Sequence, residues 1–401
     1  MIRFTISRLV GCTMLVLPSL AALTIPAAAQ SAKAVEHSHG VAHVRVCDGP
    51  DTGGFARCHA HVVTDEKGNP IENAIGPNGL PSGYGPADLR DAYKIPAGAG
   101  SSSTIVAIVD AYGYNNAEND LAVYRSTYGL PACTSASGCF TKYNQNGQAG
   151  SYPSQNTGWA QETALDLDMV SASCPGCRII LVEANSASNA DLSAAVNTAA
   201  ALGAHVISNS YGGGESGSQT YEAAYNHAGV AITASSGDSG YGVQFPASSP
   251  HVIAVGGTSL RTAATARGWS ETTWSGAGSG CSAIYGKPSW QTDTSCTRRM
   301  EADVSAIADP STGVAVYGPS SRHASSWQVY GGTSVAAPLI GGIYGANGGA
   351  VVAGSPYANT GALFDVVSGS NGTCSVAYFC NAVPGYDGPT GLGTPNGLTA
   401  F

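Results

Sequence analysis

Apolar runs alternate with helical segments through the middle of this 401-residue chain, and this alternation limits its possible folds more than any other feature. Such runs are typical of strands buried on both faces of a parallel sheet. They cover residues 103–111, 178–184, 205–211, 230–236 and 251–257. Segments with helical spacing lie at 115–129, 189–203 and 221–229. The sequence predicts an α/β fold with a mostly parallel central sheet, helices on both faces, and any active site at the carboxyl ends of the strands.

The first residues have the pattern of an export signal. Arg3 and Arg8 precede an apolar stretch and the small-residue site at 27–29. This order predicts a signal peptide over residues 1–29 and a secreted protein, with a retained membrane anchor as the alternative. No later apolar run approaches the roughly 18 residues that span a membrane, so no membrane partner is expected after signal removal.

Two further regions follow the predicted signal peptide. Residues 30–84 are polar, rich in Gly, His and Pro, and lack sustained periodicity, which indicates a short leader or prosegment. Residues 85–401 contain no linker-like stretch and are predicted to form one catalytic domain.

The charge balance argues against nucleic acid as a partner. Lys and Arg number 17 against 26 Asp and Glu, which gives a net charge of −9. A protein that binds nucleic acid through a basic face would need the opposite balance. Oligomeric state leaves no trace in the composition, and a monomer is the default expectation.

The cysteines beyond the predicted signal fall into close pairs along the chain. The pairs are 47/58, 133/139, 174/177, 281/296 and 374/380. An even count with short spacings in an exported chain predicts about five local disulfides. The Cys-Pro-Gly-Cys motif at 174–177 could instead be a redox site, although no thioredoxin-like pattern surrounds it.

Two acidic residues are four positions apart on a predicted helix over 159–173. This spacing places Glu162 and Asp166 side by side on one helix face, next to Trp159, Leu165 and Met169. If the site is partly buried, the like charges raise one carboxyl pKa, as in a catalytic dyad. The alternative is an ordinary exposed acidic pair.

Two other residues lie where turns meet regular elements. Ser334 follows a Gly-Gly-Thr turn at the start of a small-residue helix, where the partial positive charge of the helix end can stabilise an anion. Asp238 lies in a tight turn directly after an apolar strand. Taken singly, Ser334 is better explained as a helix cap and Asp238 as an ordinary turn former.

Together these motifs resemble the sedolisins, which are serine-carboxyl peptidases with a subtilisin-like fold. Glu162 and Asp166 match the family's Glu-x-x-x-Asp helix, Ser334 matches its Ser-Gly-Thr-Ser-x-x-x-Pro motif, and Asp238 matches its oxyanion aspartate. The resemblance extends over about 315 residues and implies a subtilisin-like α/β fold.

The resemblance also implies a role for each residue. Ser334 is expected to attack the peptide carbonyl, Glu162 to act as general base, and Asp166 to share a proton with Glu162. A protonated Asp238 would donate to the oxyanion. Asp110, at the end of the first strand, is expected either to support Glu162 or to be a plain strand-end residue.

Carboxyl groups in these roles favour activity in acid. Free Asp and Glu have pKa values of about 3.9 and 4.3. A histidine with a pKa of about 6.5 would be protonated in acid and could not act as a base there. None of the nine histidines has the helix-opening His-Gly-Thr setting of a subtilisin triad. The sequence therefore predicts an acid-acting endopeptidase for protein or peptide substrates. The alternatives are a tripeptidyl-peptidase type of exopeptidase and an inactive, peptidase-like binding protein.

Backbone and loop positions complete the resemblance. Ser210, Tyr211 and Gly212 resemble the strand that aligns an extended peptide in this fold, although an ordinary buried strand explains the composition equally well. The family likeness assigns one structural Ca²⁺ to five positions near the carboxyl end, with carboxylate and carbonyl oxygens as ligands. These positions are Asp365, Val366, Val383, Gly385 and Asp387.

The histidines of the leader are a second candidate metal site. His-x-His spacings such as these can bind zinc or copper, although short His-rich leaders are often only solvated. The five residues are His37, His39, His43, His59 and His61.

Overall fold

A computed structural model describes residues 1–5, 33–349 and 353–401 of the chain. Residues 6–29 of the predicted signal peptide lie outside the described residues. Lys33–Phe401 form one compact unit. No helix in the described parts of the chain is long and apolar enough to cross a membrane.

A large sheet forms the centre of the unit, as the alternating apolar runs predicted. In spatial order its main strands are Trp269–Thr273 (β12), Ile253–Thr262 (β11), Ala231–Ser235 (β10), Val206–Asn209 (β8), Ile105–Ala111 (β5), Arg178–Ala184 (β7) and Phe140–Asn144 (β6), with Val304–Ile307 (β15) also paired to β11. All of these pairings are parallel except that between β11 and β12. The central strands β5, β8 and β10 are buried along their whole length, which explains their continuous apolar sequences.

Helices pack against both faces of this sheet. The α-helices are Pro86–Tyr93 (α1), Ala117–Thr127 (α2), Thr157–Ser173 (α3), Asn189–Ala201 (α4), Thr333–Ala346 (α5) and Ser355–Ala358 (α6). Helices α3 and α5 pack against each other, and α5 also contacts β8, β10 and β11. The expected helix over 221–229 is wrong, since the structure has only a 3-10 turn at Glu222–Tyr225, and the chain leaves helical dihedrals at Asn226.

The predicted leader is an integral part of this fold. Strands Glu36–Ser38 (β1), Val41–Arg45 (β2) and His61–Val63 (β4) extend a hairpin of Val314–Ser321 (β16) and Ala324–Gly331 (β17), in the order β1-β2-β4-β17-β16. A two-residue strand, Arg57–Cys58 (β3), pairs instead with Tyr211–Gly212 (β9). The remaining strands are Gly280–Gly286 (β13), Arg298–Glu301 (β14), Leu363–Phe364 (β18) and Thr394–Pro395 (β19). Residues 33–84 thus lie against the carboxyl-terminal part of the chain.

All five predicted disulfides are present. They join the close pairs 47/58, 133/139, 174/177, 281/296 and 374/380. Cys174 and Cys177 are fully buried, and a side chain on Gly100 or Gly345 would contact their sulfur atoms. This burial agrees with a structural disulfide rather than an accessible redox site.

Candidate active site

Ser334 lies in the first turn of α5, directly after a sharp turn at Gly332. Gly332 has a φ of 103°, a backbone conformation that side chains disfavour. A Cβ atom on Gly332 would lie 2.0 Å from the carbonyl oxygen of His59 and 2.7 Å from Oδ2 of Asp238. The glycine therefore permits three groups to converge: the serine, an aspartate and a backbone carbonyl of the N-terminal segment.

Backbone groups surround the Ser334 hydroxyl. Its Oγ donates to the carbonyl oxygen of Ser210 at 3.1 Å and accepts the N–H of His59 at 3.1 Å. The backbone N–H of Ser334 donates to the carbonyl oxygen of His59 at 3.2 Å. An amide N–H at the start of a helix that points at a carbonyl oxygen has the geometry of an oxyanion donor.

Helix α3 brings the predicted acidic pair to Ser334. The helix is capped by Asn156, whose side chain accepts the N–H of Trp159, and it packs along α5. Glu162 and Asp166 are both fully buried. Oδ1 of Asp166 accepts the Ser210 hydroxyl at 2.8 Å. The pair is therefore a buried carboxylate site, and the alternative of an exposed acidic face is wrong.

Burial and mutual repulsion keep protons on this acidic pair. Burial raises the pKa of Glu162 well above its ordinary value, and the charges of Asp166 and Asp110 raise it further. Burial and the charge of Asp110 also raise the pKa of Asp166. The Ser334 hydroxyl lowers the pKa of Glu162, yet neither Glu162 oxygen has a hydrogen-bond partner among the described residues. In this state the serine is near the glutamate but bonded to Ser210.

Asp110 lies beside the pair, at the carboxyl end of β5. Burial raises its pKa to about 7, and the charge of Glu183 adds to this shift while the Thr163 hydroxyl opposes it. Because Asp110 in turn raises the pKa of Glu162 and Asp166, the three carboxyl groups titrate together. The geometry fits the expectation of a supporting carboxylate better than that of a plain strand-end residue.

Asp238 completes the set on the other side of Ser334. Its Oδ1 accepts the backbone N–H of Thr333 at 2.9 Å and the Thr333 hydroxyl at 2.7 Å. Its Oδ2 lies 3.3 Å from Nε2 of His61. Burial alone would raise the pKa of Asp238, but the neighbouring His61, together with His59 and Arg45, outweighs burial and lowers it. The protonated Asp238 that sequence reasoning requires is thus disfavoured while His61 remains beside it.

The strand expected to align a peptide does so here with a segment of the same chain. Arg57 and Cys58 run antiparallel to Gly212 and Tyr211, and the N–H of His59 also donates to the carbonyl oxygen of Ser210 at 3.1 Å. Backbone pairing of this kind is how an extended peptide adds to the edge of a sheet. The cleft is filled by residues of the predicted leader.

The Cys47–Cys58 disulfide lies over the acidic pair. Its two sulfur atoms and a carboxylate oxygen of Glu162 are all within 4.8 Å of one another. A Cβ atom on Gly158, in the first turn of α3, would lie 2.2 Å from the carbonyl oxygen of Val46. The disulfide-closed loop therefore shields Glu162 from water and contributes to the burial that raises its pKa.

The five leader histidines do not form one metal site. His37 lies 3.0 Å from Glu66, His39 lies 2.9 Å from Asp309, and His59 faces the cleft. Nδ1 of His43 lies 2.8 Å from Nδ1 of His61, and both rings lie close to the carboxylate of Glu36. The strands and turns of the leader carry the other three histidines to different neighbours, so a metal site in the leader stays a prediction for His43 and His61 with Glu36.

The loops predicted to bind Ca²⁺ come together near the carboxyl end. Oδ2 of Asp365 accepts the N–H of Gly385 at 2.8 Å, and Oδ2 of Asp387 accepts the N–H of Val383 at 3.1 Å. Burial raises the pKa of Asp387 to about 7, and the charge of Asp365 adds to the shift. Val366, which is buried, adjoins Asp365. Two carboxylates close enough for one to raise the pKa of the other fit a site that a divalent cation would stabilise.

Comparisons with known proteins place this geometry in a family. The sequence profile described as "Subtilase family" matches residues 144–346. Kumamolisin of Bacillus sp. (strain MN-32) is 30% identical over 394 residues, which cover 87% of this chain and 68% of kumamolisin. The chain belongs to the sedolisin family. Sedolisin of Pseudomonas sp. (strain 101) is 29% identical over 79% of this chain and 60% of its own length.

A solved structure agrees with this membership of the sedolisin family. The structure of Pseudomonas sedolisin, a serine-carboxyl proteinase in complex with two molecules of pseudo-iodotyrostatin, has a TM-score of 0.67 and 28% sequence identity. The match covers 79% of this chain and 96% of that chain. The subtilisin-like α/β fold predicted from the sequence is therefore confirmed, and the chain is of the serine-type peptidase class.

Sequence reasoning missed the residues that the N-terminal segment brings to the site. His59 and His61 contact Ser334 and Asp238, and Ser235 and Gln244 surround the His59 ring. No spacing in the leader indicates these contacts. The one available signal was the Cys47/Cys58 pair, since a disulfide shows that a polar segment is held in a fixed fold.

Proposed function

We propose that this sedolisin-family chain is a secreted, acid-acting endopeptidase that cleaves protein substrates through an ester on Ser334. The observation that carries the proposal is the convergence of Ser334, the Glu162–Asp166 pair and Asp238 on the carbonyl of an extended peptide. Secretion is supported by the predicted signal peptide and by five disulfides, which persist in oxidising compartments.

The proposed mechanism gives each acidic group a separate role. Ser334 Oγ attacks the substrate carbonyl carbon as its proton passes to Glu162, whose negative charge Asp166 stabilises by sharing a proton. The N–H of Ser334 and a protonated Asp238 donate to the oxyanion. The carbon–nitrogen bond then breaks, and the amine leaves with the proton from Glu162. Water activated by Glu162 hydrolyses the ester, which restores the Ser334 hydroxyl and releases a carboxylic acid.

The titration of these groups favours acid. Glu162 and Asp166 must keep one shared proton, and their raised pKa values allow this. Asp238 must also be protonated to donate, and this form is lost as the pH rises through its pKa. We therefore expect kcat/KM to fall toward neutral pH and also to fall in strong acid, where Glu162 can no longer accept a proton.

The path of the bound segment supports endopeptidase action over exopeptidase action. Arg57 and Cys58 lie on one side of Ser334, and the chain continues without interruption from His59 into β4 on the other side. A cleft that holds chain on both sides of the nucleophile suits internal bonds. An exopeptidase would instead need a group that closes one end.

The proposal includes one structural Ca²⁺ near the carboxyl end. Asp365 and Asp387 would supply carboxylate oxygens, and Val366, Val383 and Gly385 would supply backbone carbonyls. Bound there, the ion would neutralise two neighbouring carboxylates and hold the two loops together. It takes no part in the reaction at Ser334.

The test is hydrolysis of casein from pH 2 to pH 8 by the full chain, by Ser334→Ala and by Glu162→Gln. The matched control is Ser103→Ala, which makes the same substitution at an exposed serine outside the cleft. We expect wild-type and control activity confined to acid and a loss of about 1,000-fold or more in the two site variants. An active Ser334→Ala, or activity only at neutral pH, overturns the mechanism. Internal cleavage products distinguish an endopeptidase from the release of short N-terminal peptides.

A further inference from the structure

The segment in the cleft shows how the site orients a peptide. The N–H of His59 donates to Ser210, and the carbonyl oxygen of His59 accepts the N–H of Ser334. Antiparallel pairing of Arg57 with Gly212 continues this register. Under the proposed function, His59 therefore occupies the position of the residue that precedes the cleaved bond, and its side chain marks the pocket that would select that residue.

The pocket around the His59 ring is polar and closed. Nδ1 lies 2.7 Å from Oγ of Ser235, and Nε2 lies 2.8 Å from Oε1 of Gln244. His59 is 2% exposed. A Cβ atom on Gly212 would lie 2.8 Å from Cε1 of His59, so the absence of a side chain there leaves room for the ring.

This arrangement matches an uncharged imidazole. A neutral histidine offers one N–H donor and one nitrogen acceptor, and the Ser235 hydroxyl and the Gln244 amide can complete both bonds. An apolar side chain would leave both groups buried without a partner, and a site built to bond a polar group rejects such analogues strongly. A lysine or arginine would bring a buried charge.

We propose that Ser235 and Gln244 are specificity-determining residues that select an uncharged histidine immediately before the cleaved bond. This inference rests on the proposed peptidase function, because selection is meaningful only where a bond is cut. His59 is the chain's own occupant of the pocket, held by the same contacts that a substrate histidine would make.

The pocket also predicts how selectivity changes with pH. Burial lowers the pKa of His59 to about 4, and Arg45 and Arg57 add to this shift while Asp238 and Gln244 oppose it. A free histidine has a pKa of about 6.5 and must lose its proton to enter the pocket in acid. The ratio of kcat/KM for a peptide with histidine before the cleaved bond to kcat/KM for one without it should therefore rise about tenfold between pH 4 and pH 5.5. The pH dependence of the catalytic groups is common to both peptides and cancels in this ratio.

The first test compares peptides that differ only before the cleaved bond, with His, Gln, Met or Lys at that position. We expect wild-type kcat/KM to be at least tenfold higher for His than for Met at pH 5.5, and this ratio to fall at pH 4. Gln244→Met should lose the preference, and the exposed control Gln148→Leu should keep it. Cleavage without a preference for histidine overturns the inference but leaves the proposed function standing.

A second test does not depend on activity. In a Ser334→Ala background, amide hydrogen exchange of residues 56–60 reports how firmly the pocket holds His59. We expect Gln244→Met to raise that exchange about tenfold or more, whereas Gln148→Leu should not. If no peptide is cut, the proposed function fails and this exchange result alone decides whether the pocket recognises histidine. Unchanged exchange in Gln244→Met overturns the inference.

Discussion

Acid should release residues 56–60 from the cleft, and His59 should account for a large part of the effect. The perturbation that isolates it is His59→Gln, because glutamine also offers a donor and an acceptor but has no charge to gain. Both chains would carry Glu162→Gln. We call the protein closed when residues 56–60 lie in the cleft. The Glu162→Gln background prevents self-cleavage and removes the titration of Glu162, which would otherwise favour this closed state in acid.

The size of the effect follows from the pKa of His59, which burial lowers from 6.5 to about 4. A histidine with a lowered pKa is bound uncharged. Its contribution to the stability of the closed state is therefore complete above pH 6.5 and is lost as the pH falls toward 4. Between pH 7 and pH 4, protonation of His59 therefore lowers the equilibrium constant for forming the closed state about 100-fold, or about 3 kcal/mol. The charged and polar groups that face the ring are Asp238, Gln244, Arg45 and Arg57, and their effects are part of this pKa.

The assay is reduction of the Cys47–Cys58 disulfide by a phosphine, which reacts in acid as well as at neutral pH. Both sulfur-bearing residues are buried in the closed state, so reduction requires the segment to open. The products are alkylated in acid and counted by mass spectrometry. The Cys174–Cys177 disulfide, which is fully buried and lies outside the cleft, reports any general unfolding.

We expect the reduction rate of Cys47–Cys58 to rise between pH 7 and pH 4 in the chain that keeps His59. This rise should be about 100-fold larger than the rise in the His59→Gln chain. Titration of His43 is common to both chains and cancels in this comparison, whereas Asp238 is coupled to His59, so the comparison measures the effect of these two groups together. If the two rates change with pH to within threefold of each other, burial of an uncharged His59 does not hold the segment, and the reasoning fails.

Three further outcomes follow from contacts in the cleft, in the core and near the carboxyl end. If the His59–Ala60 bond is bound as a substrate, acid incubation of the full chain should give a new N-terminus at Ala60, which Edman sequencing would detect in wild type and not in Ser334→Ala. Asp303→Ala should lower the free energy of unfolding by about 3–5 kcal/mol in denaturant titration, because it leaves the buried Arg299 guanidinium, now 2.6 and 2.5 Å from the carboxylate oxygens, without its partner. Chelation by EDTA should lower Tm in wild type and have little effect in Asp387→Asn, and an equal fall in both would contradict calcium binding there.

The central sheet was predictable because its strands are buried on both faces. β5, β7 and β10 are continuous apolar runs, and a run of this kind has few other stable positions in a folded chain. The helical pattern of α3 similarly fixed Glu162 and Asp166 on one face. These features depend on residues near one another in sequence.

The closure of the cleft was not predictable in the same way. β3 has two residues and pairs with β9, which is more than 150 positions away, as Cys58 and Tyr211 show. β4 pairs with β17 at a still larger separation. Strands this short have no periodicity that a sequence could show, and their positions are set by tertiary contacts with α3, β9 and β17.

Each contact that closes the cleft also affects a group that catalysis would use. His61 lowers the pKa of Asp238 and so favours the ionised form, which cannot donate to an oxyanion. The Cys47–Cys58 loop buries Glu162, and the N–H of His59 donates a hydrogen bond to Ser334 Oγ. When residues 56–60 leave, the effect of His59 on the pKa of Asp238 disappears, and this change moves that pKa upward, toward the protonated donor. The same residues therefore couple release of the segment to formation of a site that can work in acid. A variant that opens the cleft should also shift the pH dependence of catalysis.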